Sequence, residues 1–308
     1  MIRKLLCLSL LLLLKPSHAQ QVADTTFNPP IVKPAYSTSS GPIVMLDEAH
    51  CNFHTATGRY LPFARLLRRD GYVVRASTTQ FRKESLRAGK ILVIANALAQ
   101  VNTRGNWRLP TPSAFTDAEI AAVREWVREG GALLLIADHM PFAGAAEKLG
   151  AAFGIRFSNC FASFADTLRN DFFVFRRAQG TLASHAILNG TTRDERVDSV
   201  MTFTGSAFQI EAGAQPLFVL DSSQALLMPE IAWQFTLDTP RLSASGWLQG
   251  ATLKFGKGRV AVFGEAAMFS AQLAGADRTP IGMNSPQAPQ NYRFLLNVMR
   301  WLAGELDS

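Results

Sequence analysis

Cysteine and histidine are scarce in this sequence, with three and five residues respectively among 308. Cys51 and Cys160 are the only cysteines beyond the N-terminal apolar run, too few and too far apart for a disulfide framework. After that run, no stretch approaches the roughly 20 apolar residues that a membrane span needs. Familiar catalytic signatures are missing as well. There is no His-Glu-x-x-His motif, and the serines at Ser206 and Ser243 to Ser245 form no Gly-x-Ser-x-Gly elbow. Gly256-Lys257-Gly258 lacks the spacing of a phosphate-binding loop. These absences exclude a disulfide-stapled scaffold, a bundle of membrane helices, and the zincin, α/β-hydrolase and P-loop classes.

What is present begins with an export signal. Arg3 and Lys4 precede an apolar run from Leu5 to Leu14, and Ser17-His18-Ala19 puts small residues where a signal peptidase needs them. We therefore expect a signal peptide over residues 1–19, cleavage before Gln20, and a periplasmic or secreted protein with no membrane span after cleavage. Losing Arg3, Lys4 and Lys15 lowers the formal charge from +7 to +4. The densest basic stretch, Arg65, Arg68, Arg69, Arg82, Lys83 and Arg87, carries no known nucleic-acid motif, so it reads as a solvated helix face rather than a nucleic-acid surface.

Residues 20–41, rich in Pro, Ser and Thr without periodicity, read as an extended leader, and 42–304 as one α/β domain. Ile43 to Leu46, Tyr72 to Val74, Ile91 to Ala95 and Ala132 to Ala137 are short apolar runs of the kind buried on both faces of a parallel sheet. Helical spacing separates them over Arg59–Asp70 and again after Thr116, where Glu119 completes a capping box and Gly130-Gly131 ends the helix. Such alternation argues a doubly wound α/β fold. Residues 155–250 hold shorter strand-like runs of uncertain topology. The chain then returns to form with a hairpin about Gly256-Lys257-Gly258 and a closing amphipathic helix carrying Phe294, Leu295, Val298, Met299 and Leu302.

In open α/β sheets ligands bind beyond the carboxyl ends of the strands. Those ends here deliver Asp47, Glu48, His50, Asn52 and His54, then Asn96, then Asp138 and His139, and finally Glu265. Three readings of this cluster stay open. His50, His54, Asp138 and His139 could ligate a divalent, zinc-like metal, with Glu265 or Glu48 as general base. Alternatively His50 or His139 is a metal-free base oriented by Asp47 or Asp138. Or these groups merely cap helices and satisfy loop amides. On the first two readings His50, Asp138, His139 and Glu265 are the catalytic candidates, and Asp47, Glu48, Asn52 and Asn96 the ligand-binding ones. His185 reads as a turn residue, and Cys160 as a thiol without a basic neighbour in sequence. The long loop from Asn96 to Phe115, with Trp107 and Leu109, is a candidate for an exposed apolar patch.

Three segments carry a resemblance: Leu46 to His54 with Gly58-Arg59-Tyr60, Phe115 to Gly131 with Leu134 to His139, and Gly258 to Phe269. The chain resembles exported proteins of the DUF4350 type within the class I glutamine amidotransferase-like superfamily. That resemblance implies a flavodoxin-like sandwich with a mostly parallel central sheet. Working amidotransferases of that superfamily carry a cysteine nucleophile on a strand–turn–helix. The segment here that looks equivalent, Ile136 to Gly144, contains none, so glutamine hydrolysis by that route is not expected. The resulting expectation is a domain that binds a small polar ligand, with or without a divalent metal, and hydrolyses it at the strand ends. The alternative is a catalytically silent scaffold for an envelope transport or motility assembly.

Overall fold

The computed structural model describes residues 21–166 and 172–307; the expected signal peptide lies outside the described residues. The first half of the chain alternates strands and helices. It runs β1 (Gln21–Ala23), β2 (Ile43–Asp47), α1 (Leu61–Arg69), β3 (Val73–Ser77), α2 (Lys83–Leu86), β4 (Ile91–Ala95), α3 (Asp117–Glu129), β5 (Ala132–Ile136) and α4 (Phe142–Ala151). The second half is mostly strands: β6 (Ile155–Ser158), β7 (Phe161–Phe164), β8 (Phe172–Arg176), the one-turn α5 (Ala186–Asn189), β9 (Ser199–Phe203), β10 (Ala207–Ile210) and β11 (Ala214–Val219). It ends with β12 (Gln224–Leu227), β13 (Arg241–Ser243), β14 (Leu248–Phe255), β15 (Gly258–Phe263), β16 (Ala271–Ala274), β17 (Thr279–Gly282) and α6 (Asn291–Ala303).

A nine-stranded sheet runs β3-β2-β4-β5-β15-β14-β10-β6, with β11 also paired to β14. Its first five strands are parallel, and the pairings beyond β15 are antiparallel. The apolar runs read from the sequence are these parallel strands. Alternate residues serve opposite layers, as a two-residue period requires. Val44, Val93, Leu134 and Phe263 pack with Phe63 and Leu67 of α1 and Phe294 and Val298 of α6. Met45, Leu92, Leu135 and Val262 pack with Val123 and Trp126 of α3 and Ala146 and Leu149 of α4.

This is a mixed α/β fold with helices on both faces of a largely parallel core, but with fewer helices than a flavodoxin-like sandwich. The reason lies in residues 155–250. Their short runs pair into antiparallel ladders with partners far along the chain, forming the small side sheets β13-β12-β7 and β8-β9 instead of further helices. The hairpin between β14 and β15 forms as expected, in register from Gly250↔Phe263 to Phe255↔Gly258.

Residues 21–36 lie against the body. β1 pairs with β16, and Phe27, Ile31 and Tyr36 pack on the α1/α6 layer. The basic helix face holds this segment by its carbonyls: Arg65 donates to Thr25 O and Arg69 to Pro29 O, both at 2.8 Å. Arg65 and Arg69 thus clamp the leader while the basic stretch, with Arg68, Arg82, Lys83 and Arg87, stays exposed as a solvated face. Among the described residues no helix is long and apolar enough to cross a membrane.

Candidate functional site

At the carboxyl ends of β4, β5 and β15 lies a cleft of about 240 Å³. Asn96, Asp138 and Glu265 reach it from the three strand ends, His54 and Phe53 from the loop after β2, and His139 and Phe142 from the start of α4. The antiparallel half supplies Phe172, Phe203, Thr204 and Trp233, and β16 supplies Gln272. Of the nine strand-end residues named from the sequence, His54, Asn96, Asp138, His139 and Glu265 are thus gathered; Asp47, Glu48, His50 and Asn52 are not among them.

The acids are held from behind. Glu265 is fully buried, and its two carboxyl oxygens accept the N–H groups of Ala267 (2.6 Å) and Met268 (2.8 Å). Burial first, and the neighbouring charge of Asp138 second, hold its carboxyl well above the usual carboxylate range. Its protonated form is favoured there. Asp138 accepts its neighbour His139's N–H on Oδ1 at 2.7 Å, and its own N–H donates to Asn96 Oδ1 at 3.0 Å. A carboxyl pushed up by burial beside a second carboxyl group is the arrangement that separates an acid from a base.

The two cleft histidines differ. His139 Nδ1 is 2.7 Å from the carbonyl oxygen of Met140. A carbonyl can only accept, so Nδ1 carries a proton, and Nε2 is the ring's position for accepting one. Phe161 stacks on that ring at 4.5 Å and Trp233 meets it edge-on at 4.6 Å, which fixes its plane. His54 is nearly closed off from solvent, and burial, reinforced by the cationic Arg59, holds its pKa down at about 3, so it is neutral. Its Nδ1 has no hydrogen-bond partner, and neither does Oε1 of buried Gln272. Two orphaned buried polar atoms on residues lining one cleft mark a place where a polar ligand or water is expected.

Backbone strain collects here too. Asn96 (φ +52°), Thr204 (φ +80°) and Trp233 (φ +68°) all adopt left-handed conformations. Such geometry is unfavourable for a β-branched or bulky residue unless the surroundings impose it. The next residue, Gly205, shows one such constraint. A Cβ there would collide with the carbonyl oxygen of Gly264, so only glycine lets the loop after β9 pass this close to the end of β15.

His50 occupies a separate, closed site. Its Nδ1 lies 2.9 Å from both carboxyl oxygens of Asp47, and its Nε2 lies 2.9 Å from Glu119 Oε1. Both ring nitrogens must donate, so the ring is an imidazolium; although burial opposes the charge, the two carboxylates raise its pKa. Asp47 also accepts from Asn52 Nδ2 at 3.0 Å, and Glu48 Oε1 caps the Ala56 N–H at 2.7 Å. His50, expected as a catalytic and metal-binding residue, and Asp47, Glu48 and Asn52, expected as ligand-binding ones, therefore stand apart from the cleft: their polar atoms are engaged around the loop after β2. The zinc-type set His50, His54, Asp138 and His139 is not assembled, and among the described residues no group of three or more His, Cys, Asp or Glu is placed to hold a metal ion.

The remaining candidates have structural roles. His185 caps α5 by accepting the Ile187 N–H at 3.1 Å. Cys160 is buried, its thiol pushed up to about 11 by desolvation, while Cys51 is exposed, and the two are unbonded. Trp107 turns inward onto Phe53 and Phe142, at 5.4 and 5.2 Å, leaving Leu109 as the exposed apolar residue of its pair. Sequence reasoning missed Trp233, Phe203, Thr204 and Gln272, for which no local motif exists.

Among solved structures, the mmIFT52 N-terminal domain is similar to this chain at a TM-score of 0.56 and 14% identity, covering 84% of this chain and 96% of that one. A ThuA-like protein from Bacteroides uniformis aligns at 0.47 and 12%, covering 87% and 94%. A cytoplasmic protein from Salmonella typhimurium LT2 aligns at 0.47 and 15%, covering 84% and 98%. No protein family model and no curated protein sequence matches the chain. The first of these similarities supports the α/β fold and says nothing of chemistry.

Proposed function

We propose that this is an exported, periplasmic or secreted, amidotransferase-like domain that binds a small polar ligand in the Asp138–Glu265 cleft and hydrolyses it without a cysteine nucleophile. The observation that carries the reading is the convergence of a buried carboxyl whose protonated form is favoured (Glu265), a second carboxyl (Asp138) and an imidazole whose Nδ1 is taken by a carbonyl (His139) where three strands end. His139 Nε2 takes a proton from water as the water oxygen bonds to the electrophilic carbon. Glu265 gives its proton to the departing group, and Asp138 stabilises the imidazolium that results. Each step uses this chain's own side chains. Asn96, fixed by the Asp138 N–H, and the orphaned His54 and Gln272 orient the ligand.

The buried thiol of Cys160 supports the absence of nucleophilic sulfur chemistry. Its carbonyl accepts the Met140 N–H at 3.0 Å, so it stands near the turn, but its thiol is neither exposed nor ionised at neutral pH.

The test is a thermal-shift screen of charged and uncharged small molecules, followed by chromogenic ester, amide and glycoside substrates. A ligand that raises the melting temperature of the wild type, but not of Trp233→Ala, supports the binding reading. Turnover lost in His139→Gln and Glu265→Gln supports hydrolysis. A wild type indifferent to every compound would sink both, and the scaffold alternative would stand.

A further inference from the structure

The charge in the cleft is unbalanced. Two carboxyl groups, Asp138 and Glu265, face a space in which no lining residue among those described is Lys or Arg. Arg59 stands behind the wall, its guanidinium over the Phe53 ring at 3.9 Å and near enough to depress His54, but it is not a lining residue. The neighbouring Asp138 adds to burial in raising the Glu265 carboxyl, as expected where two carboxyls share a site.

The unused hydrogen-bonding atoms lean the same way. Gln272, 1% exposed, has an orphaned carbonyl Oε1, and His54, 3% exposed, has an orphaned Nδ1. His139 presents Nε2 as an acceptor because its Nδ1 proton is spent on Met140. The wall thus offers the Gln272 carbonyl and His139 Nε2 as acceptors, and its lining residues include no Lys or Arg. Around it stand the aromatic rings Phe142, Phe203 and Trp233, whose negative quadrupole faces attract cations, while Arg59 already covers Phe53. A phosphate or carboxylate ligand would meet repulsion from Asp138 with no Lys or Arg among the lining residues to offset it. A neutral ligand would satisfy the acceptors and leave the charge unbalanced.

We infer that the ligand of this cleft is an organic ammonium cation, its charged head set among the aromatic rings and against Asp138. This rests on the proposed small-ligand reading and names the class. A cationic head also explains why Asp138, rather than a third neutral group, sits beside Glu265: in a partly dry cleft a single carboxylate contributes far more to binding a cation than it would in water.

The experiment compares tetramethylammonium with tert-butyl alcohol, which has a similar branched shape and no charge, by titration calorimetry on the mature protein. Methyl glucoside and inorganic phosphate are run beside them. The expected result is at least tenfold tighter binding of tetramethylammonium than of tert-butyl alcohol, with that preference lost in Asp138→Asn and binding weakened in Trp233→Ala. Circular dichroism confirms that both variants fold, and Trp233→Phe, which keeps a ring, restores binding if Trp233→Ala is compromised. Equal binding of the charged and neutral probes, or preferential binding of the glucoside or of phosphate, overturns the cationic class and leaves the small-ligand reading intact. No binding of any probe overturns both.

Discussion

Nε2 of His50 lies 2.9 Å from Oε1 of Glu119, a contact between residues 69 positions apart. It completes a buried Asp47–His50–Glu119 bridge that ties the loop after β2 to the first turn of α3. Glu119 Oε2 meanwhile accepts from Thr116 N at 3.0 Å and Thr116 Oγ1 at 2.7 Å. The capping-box acid thus holds a helix start with one oxygen and an imidazolium with the other. Removing the ring leaves two buried carboxylates facing each other. We predict that His50→Gln destabilises the protein by about 3 kcal/mol while the folded variant keeps its ligand affinity. Urea unfolding followed by binding titration separates the two.

The same bridge has a pH signature. His50's raised pKa stabilises the fold fully below the unfolded value of 6.5, and that stabilisation is lost as pH rises through the folded pKa. Glu119 is held down at about 2 against 4.5 by its bonds to Thr116 and His50, so its contribution is present above 4.5 and lost as pH falls toward 2. His54 and His185, held near 3 and 4, act oppositely to His50: below 6.5 the unfolded chain binds protons that the folded chain refuses. The difference in unfolding free energy between wild type and His50→Gln isolates the bridge. It should be largest between the two limbs and shrink on both sides. A difference independent of pH would show that the bridge is not ionic.

Several of these relationships were legible in the sequence, and others were not. The parallel strands were readable because residues buried on both faces must all be apolar. His54, Asn96, Asp138, His139 and Glu265 were readable because strand ends of this fold converge. His50 stands apart from the cleft for a physical reason: a strand-end position does not reveal whether a distant side chain already satisfies the ring, and Glu119 read only as a cap. Thr204, Phe203 and Trp233 were invisible. They lie in 155–250, where antiparallel register is set by partners far along the chain, and the left-handed backbones of Thr204 and Trp233 run against local propensity.

Glu265 offers a second pH test with the sign of a raised acid. Its proton stays on in the folded state above 4.5, where the unfolded chain gives it up, so stability is lost as pH rises from 4.5 through the folded pKa. Glu265→Gln removes that slope. It also forfeits one of the bonds to Ala267 and Met268, because an amide nitrogen cannot accept an N–H. The variant should be about 1 kcal/mol less stable at pH 5 and comparatively better at pH 8. Thermal unfolding across that range reads the crossover, and parallel curves would refute the protonated state.

The thiols make a simpler prediction. Cys51 is exposed, with its Sγ 3.2 Å from Gln100 Oε1, while Cys160 is fully buried with its pKa pushed up to about 11. A thiol reagent at neutral pH should label Cys51 in the native protein and Cys160 only after denaturation, since the thiolate is the reactive form. Rapid native labelling at Cys160, located by peptide mass, would mean that the β6–β7 turn opens and would reinstate that residue as a candidate nucleophile.

Trp233 separates binding from folding. It is 38% exposed, holds a strained backbone at φ +68°, and contributes rings to the cleft by meeting His139 at 4.6 Å and Phe161 at 4.7 Å. Glycine at this position relieves the left-handed strain, worth about 1 kcal/mol, and forfeits aromatic contacts of similar size. We therefore expect Trp233→Gly to unfold within about 1 kcal/mol of the wild type. Its ligand affinity should fall roughly tenfold, in keeping with loss of one ring around a bound cation. If stability collapsed along with affinity, Trp233 would be part of the packing of β7 and the following loops, and the cleft would lose its rim residue. If neither changed, the ligand would have to sit deeper, between His54, Gln272 and Glu265, where no contact with Trp233 is made.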